Sequence, residues 1–238
     1  MHAEPPSPPE LTPDTVCVLA PAYREENRVG ATVRAILPQA SHVVVIDDGS
    51  PDRTAEAAEA AGATVLRHPA NRGKGEALET GFRHVAEKGY PACITLDADG
   101  QHDPAHIAEF IAEANRTGCA VLVGNRMDQH DGMPRVRAGT NRLMSALIGA
   151  LARQRIPDTQ NGYRLYRAEA LPFVHARARG FAAESEQLLR LSHAGFRIGS
   201  VPIRTIYGEE KSKISPVRDT LRFLRMLWLY YYRRRFPK

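Results

Sequence analysis

Cysteine is scarce, with three in 238 residues at Cys17, Cys93 and Cys119. Each sits in a short apolar run and none is closely spaced with another. An odd number without close spacing argues against a disulfide framework or a thiolate zinc site, and points to buried free thiols on strands in a reducing compartment. Long hydrophobic runs are missing: no stretch approaches the roughly 20 uninterrupted apolar residues of a membrane-spanning helix. Residues 1–13, MHAEPPSPPELTP, lack the basic start and apolar stretch of a signal peptide, and read as a disordered leader over 1–14. There is no internal repeat and no linker composition that would cut the chain, so one catalytic domain over 15–210 with an appendage over 211–238 is expected. Two nucleotide signatures are absent. Asn71-Arg72-Gly73-Lys74-Gly75 has Gly where a P-loop needs Ser or Thr after the lysine, and His68 stands where the earlier glycine belongs. No G-x-G-x-x-G opens a helix, so P-loop and NAD-dependent chemistry are set aside. The lysine loop remains a candidate for shaping a nucleotide pocket at a helix N-terminus.

What is present is ordinary for a globular protein: 43% hydrophobic and 25% charged residues, enough to bury a substantial core. The net charge of +5 predicts anionic partners without choosing among nucleotides, nucleic acid and lipid headgroups. Short apolar or β-branched runs at 15–20, 42–46, 63–67, 92–96 and 120–123 read as strands. Between them, 28–37, 52–61, 74–88 and 104–115 read as helices. Ser50 before Pro51 suits the start of the second helix, and Asp103 before Pro104 the start of the fourth. This alternation predicts an α/β fold: a mostly parallel, Rossmann-like sheet wrapped by helices. Past Met127 the rhythm changes to a helix at 136–152, a loop to Gly162, a strand at 163–166, a helix at 182–193 and an extended piece at 198–207.

Open parallel sheets bind ligands beyond the carboxyl ends of their strands, and polar clusters follow these strands. The first runs into Pro21-Ala22-Tyr23-Arg24-Glu25-Glu26-Asn27, the second into Asp47-Asp48-Gly49-Ser50, and the fourth into Asp97-Ala98-Asp99-Gly100-Gln101-His102. Residues two apart on an extended chain point the same way, so Asp97 and Asp99 can face one site. With the Gln101 amide oxygen they form a hard-oxygen donor set suited to Mg²⁺ or Mn²⁺, which take their remaining ligands from phosphate and water. The competing reading is a turn that caps the next helix. Asp47 and Asp48 are placed either to hold a nucleotide ribose or to satisfy a tight turn.

As an ordered set these motifs, with Gly124-Asn125-Arg126, Asn161-Gly162-Tyr163-Arg164-Leu165-Tyr166 and Lys211-Ser212-Lys213-Ile214, resemble the family 2 glycosyltransferases, in particular their polyprenyl-phosphate mannosyl- and glucosyltransferase branch. The resemblance runs from Val16 to about Trp228. It implies a GT-A fold, with Pro21, Tyr23, Glu25 and Asp48 on the nucleotide and Asp97, Asp99 and Gln101 around a metal and the diphosphate. It also implies a nucleotide-sugar donor such as GDP-mannose or UDP-glucose, with mannose narrowly preferred, and inversion at the anomeric carbon. The implied acceptor is a polyprenyl phosphate, met by a cytoplasmic protein lying peripherally on the cytosolic membrane face. Asn161-Gly162-Tyr163-Arg164 stands where many relatives have Ser-Gly-Phe-Arg.

A phosphate acceptor is already ionised at neutral pH, so it needs positioning more than a dedicated base. With Asp99 at the metal, Arg126 and Arg137 are the expected catalytic cations that hold two phosphates near each other, and Arg164 is a weaker candidate. Glu184 and Glu186 either flank the acceptor or favour a helix N-terminus. In the tail, Leu221, Leu224, Leu227 and Trp228 recur at helical spacing among Arg218, Arg222, Arg225 and Arg233–Arg235. That pattern fits an amphipathic helix in an anionic lipid interface, with Lys211 and Lys213 facing headgroups or the acceptor phosphate; the rival is a core-packing helix with a solvated basic end. No nucleic-acid module accompanies the charge, and no nucleic-acid partner is expected. Rival functions are a family 2 transferase acting on a glycan, a nucleotidyltransferase and a non-catalytic membrane-binding protein.

Overall fold

The computed structural model describes residues 8–127, 135–175, 181–204 and 216–235. The elements are β1 (Val16–Ala22), α1 (Val29–Ile36), β2 (His42–Asp47), α2 (Thr54–Ala60), β3 (Thr64–Arg67), α3 (Lys74–Lys88), β4 (Ala92–Thr95), α4 (His106–Thr117), β5 (Val121–Asn125), α5 (Arg135–Ala152), β6 (Arg164–Arg167), α6 (Phe181–His193), β7 (Ile198–Pro202) and α7 (Pro216–Arg235). A 3₁₀ turn over Ala168–Phe173, not anticipated from sequence, links β6 to α6.

The seven strands lie in the order β3-β2-β1-β4-β6-β5-β7. All neighbours are parallel except β6, which runs antiparallel to both β4 and β5. The sheet's two faces follow from period-2 alternation. Along β1, Val16, Val18, Ala20 and Ala22 face one core with α1, α2 and α4. Cys17 and Leu19 face the other core, with α3, α5, α6 and α7. The expected mostly parallel sheet with helices on both faces is what the chain adopts.

Differences from expectation lie where tertiary contacts decide. Strand β1 runs on through Pro21, which the sequence placed in a loop. A proline fits there because β4 pairs only up to Leu19, so no ladder on that side needs an N–H from Pro21. Residues 8–14 of the expected disordered leader are docked. Leu11 is buried, its N–H donates to Asn115 Oδ1 at 2.9 Å, and its carbonyl accepts from Asn115 Nδ2 at 2.7 Å. Arg167 Nη1 donates to the Pro9 carbonyl at 2.7 Å. Residues 1–7 of the leader lie outside the described residues.

Helix α7 packs one face on the core and leaves large apolar side chains exposed on another. Phe223 and Met226 are buried in the core beside α6, while Leu224 is 50% and Trp228 63% exposed, with Tyr231 and Tyr232 exposed beside them. Lys211, Lys213 and the 205–207 end of the expected extended piece lie outside the described residues, as do the side chains of Arg218, Arg222 and Arg233–Arg235. Among the described residues no helix is long and apolar enough to cross a membrane.

Candidate active site

The C-terminal ends of β1, β2 and β4 carry the three polar loops to one edge of the sheet. Because β6 is antiparallel, its N-terminal end also reaches that edge, where Arg164 pairs with Thr95. The segment 157–163 therefore joins the site, and α6 follows from the other side.

The first loop is stitched to the second through its backbone. Arg24, in the left-handed region at φ 60°, donates its N–H to Ser50 Oγ at 3.0 Å, and Glu25 N donates to Thr54 Oγ1 at 2.9 Å. Ser50, expected at the helix start, is thus occupied with loop 1, and Asp52 accepts from Thr54 N and Oγ1 there in its place. Tyr23 is left exposed at the mouth, with the Arg24 guanidinium 5.3 Å from its ring centroid.

The two aspartates of the second loop have internal work. Asp47, fully buried, accepts from Ser50 N at 3.0 Å and pairs with Arg67 Nε at 3.2 Å. Asp48 accepts at Oδ1 from Arg72 N (2.9 Å) and pairs there with His68 Nδ1 (2.8 Å), and accepts at Oδ2 from Gly73 N (2.6 Å). A carboxylate offers about four lone-pair positions; at Asp48 two hold the backbone of the lysine loop before α3 and a third meets the His68 ring, which leaves one. Gly49 makes the close approach possible: at φ +69° it lies so near Ala70 that a Cβ would fall 2.4 Å from that residue's carbonyl carbon.

Held this way, the first residue of α3 reaches the acidic loop. Lys74 Nζ lies 2.6 Å from Asp97 Oδ1 and 3.0 Å from Glu184 Oε1 on α6. Burial opposes the ammonium charge, but the two carboxylates outweigh it and push the Lys74 pKa up. Burial would likewise raise Asp97, yet Lys74, His102 and Arg126 pull it down to about 2. His102 is driven to about 4, chiefly by burial, against the opposing pull of Asp97. It is therefore neutral at pH 7, with its Nδ1 accepting the Asp97 N–H at 3.0 Å. Sequence reasoning passed over Lys74 as a cluster member and left Glu184 between the acceptor and a helix N-terminus. The partners lie 110 residues apart, and only the lysine at the start of a helix after β3 hinted at the contact.

Asp99 Oδ1 accepts from Gln101 N at 3.0 Å, closing the turn that was the rival to metal binding. The turn does not cap the next helix, which begins only at His106. Among the described residues no three His, Cys, Asp or Glu side chains converge as a ready-made cation cage. The oxygen donors present fit an ion that draws several ligands from phosphate and water, with Asp97 already anionic.

Arg126 is buried, and one edge of its guanidinium is engaged by Asp158, Nε to Oδ2 at 2.7 Å and Nη2 to Oδ1 at 3.0 Å. That side-on bidentate face is taken by Asp158, and Arg126 is also one of the charges that lower the Asp97 pKa. Asp158 gave no sequence signal beyond being an acid in a loop. Arg164 is fully buried and donates to the carbonyls of Asn161, Thr159 and Glu184, so its hydrogen bonds organise the 157–163 segment. Glu186 is buried against Arg190 at 2.8 Å. Arg137 belongs to α5, and its side chain lies outside the described residues. Tyr163 stacks on Phe110 and donates its hydroxyl to the Asp103 carbonyl at 3.2 Å, a bond that the phenylalanine of many relatives would lack.

Comparisons with known proteins agree with this geometry. The family model described as Glycosyl transferase family 2 matches residues 17–173. The chain is similar to an undecaprenyl-phosphate mannosyltransferase of Micrococcus luteus, with 32% identity over 84% of this chain and 87% of that protein. It is similar to a dolichyl-phosphate hexose transferase of Haloferax volcanii, with 30% identity over 87% and 90%. Among solved structures, glucosyl-3-phosphoglycerate synthase of Mycobacterium tuberculosis with Mn²⁺, UDP-glucose and phosphoglyceric acid shares the fold, at a TM-score of 0.66 and 20% identity over 94% of this chain and 81% of that one. The chain is a glycosyltransferase and belongs to glycosyl transferase family 2.

Proposed function

We propose that this glycosyltransferase moves a hexose, with mannose preferred over glucose, from a nucleotide sugar to a polyprenyl phosphate, with inversion and with Mg²⁺ or Mn²⁺ bound. The observation that carries the reading is the ionised Asp97 in the Asp97-Ala98-Asp99-Gly100-Gln101 turn at the sheet edge. The names of the Micrococcus and Haloferax relatives support the acceptor class. The neighbour solved with Mn²⁺ and UDP-glucose supports the metal and the donor class.

In this reading Pro21, Tyr23 and Glu25 line the nucleoside on a loop fixed by Ser50 and Thr54, and Asp48 offers its remaining lone pair. Asp97, Asp99 and Gln101 would hold the metal. Its chemistry there is to neutralise the charge that develops on the departing nucleoside diphosphate. Lys74 and Arg126 add positive potential to the same edge, and Arg137 is assigned to the acceptor phosphate. That phosphate attacks as an anion, so the chain supplies alignment and exclusion of water more than a base.

The membrane side is assigned to α7, whose exposed Leu224, Trp228, Tyr231 and Tyr232 lie opposite its core-facing residues. A helix with one face in the core, an exposed leucine and aromatic face, and an arginine-rich sequence suits an anionic interface, here the cytosolic leaflet. Since glucosyl-3-phosphoglycerate synthase acts on a non-lipid acceptor, the second reading is a soluble phosphorylated or glycan acceptor. Supplying radiolabelled GDP-mannose or UDP-glucose together with polyprenyl phosphate, phosphoglyceric acid and a glycan separates the two. Label in the organic phase supports the lipid reading, and label confined to water-soluble product overturns it.

A further inference from the structure

We propose that Lys74 is an internal cation occupying the Asp97 end of the metal site, and that Glu184 is the positioning residue that draws it aside when a divalent ion arrives. The proposal rests on the reading of Asp97 as part of a divalent-cation site and deepens it.

Three observations carry it. The ammonium bridges two carboxylates from different elements, Asp97 after β4 and Glu184 on α6, at 2.6 and 3.0 Å. Glu184 is only 6% exposed and its second oxygen, Oε2, is buried without a hydrogen-bond partner. A buried carboxylate oxygen without a donor is costly, and here it is a vacant second seat for the same ammonium. Gly162 supplies the room: a Cβ there would lie 2.8 Å from Lys74 Nζ, 3.3 Å from Glu184 Oε1 and 3.6 Å from Asp97 Oδ1.

The electrostatic consequence is direct. An ammonium on Asp97 repels an incoming divalent ion, and a like charge a few ångströms away changes ion binding by about tenfold or more. Without Glu184, Lys74 would have only Asp97 to pair with, and the ion would compete against the full strength of that pair. With Glu184, the ammonium moves toward Oε2, leaves Asp97 to the ion, and stays within the site, facing the incoming diphosphate.

The test is titration of the free protein with Mn²⁺ alone, following the signal of the aqueous ion by electron paramagnetic resonance. Melting temperatures of all variants are recorded alongside. Lys74→Met is expected to bind Mn²⁺ about tenfold more tightly than the wild type, and Glu184→Gln about tenfold more weakly. The double variant Lys74→Met/Glu184→Gln is expected to bind within about threefold of Lys74→Met, because Glu184 acts through the ammonium and has nothing left to position. A merely structural or independent role for Glu184 predicts instead that its loss persists and returns the double variant to about the wild-type affinity, and that result overturns the proposal. So does Lys74→Met with unchanged or absent Mn²⁺ binding. No sugar nucleotide or lipid is used, so failure here leaves the transfer reading to its own assay.

Discussion

Replacing Asp158 by Asn tests whether Arg126 is a buried structural ion or a phosphate ligand. Asp158 is fully buried and accepts from Arg126 N, Nε and Nη2. Asparagine keeps the shape but removes the charge, turns an amide N–H₂ toward the guanidinium, and strands a cation that is itself 6% exposed. Breaking a buried pair from one side costs about 3–5 kcal/mol. For a chain of this length each kcal/mol lowers the melting temperature by about 2–4 °C, which gives a fall of about 6–20 °C. Differential scanning calorimetry and urea titration read it. Since the penalty comes from the stranded charge, Arg126→Met/Asp158→Leu is expected to lose less than Asp158→Asn alone. The reasoning fails if Asp158→Asn melts within about 2 °C of the wild type while its KM for the acceptor rises, because Arg126 would then be serving substrate.

Other expectations follow from single observations. Asp99→Asn preserves a turn acceptor for Gln101 N but removes a hard anionic ligand, so transfer should fall about 100-fold or more with little change in melting; equal activity would discredit the metal site. Trp228 is the sole tryptophan and sits on the outer face of α7, so binding to anionic vesicles should shift its emission to the blue, and Leu224→Ser should weaken that binding. An unshifted spectrum with bound vesicles would place the contact elsewhere. Burial pushes the Cys17 thiol up to about 12 and Cys93 well above its usual value, so a disulfide reagent at pH 8 should leave both unmodified until urea is added. Because folding favours both thiols protonated, their contribution is intact below the unfolded thiol pKa of about 8.5. It declines as pH rises from there toward about 12. Leu11→Ala should cost about 2–4 kcal/mol, measurable by urea titration; a negligible loss would mean that residues 8–14 are not docked.

The legible part of the fold was the part written locally. Apolar runs and the polar residues just after them gave β1, β2 and β4 and three of the loops at the sheet edge, because strand period and turn chemistry act over a few residues. The insertion of β6 between β4 and β5 was not legible, since a four-residue run, Arg164–Arg167, carries no sign of its direction. Site members supplied from afar were also hidden. Glu184 meets Lys74 across 110 residues and Asp158 meets Arg126 across 32, and a lone acid in a helix or loop looks the same whether or not a cation awaits it. Composition misled at the N-terminus: Pro-rich sequence suggests disorder, but one leucine and the Asn115 amide are enough to dock residues 8–14. It misled less in the tail, where aromatic and leucine residues serve both the core and an exposed face.

Transfer to lipid remains the point on which the account turns. Purified protein, anionic vesicles containing polyprenyl phosphate and labelled nucleotide sugar should yield an acid-labile lipid-linked hexose. Chelation of divalent ions should abolish it, and added Mn²⁺ or Mg²⁺ should restore it. Product formed at full rate in chelator, or label appearing only on water-soluble acceptors, contradicts the account.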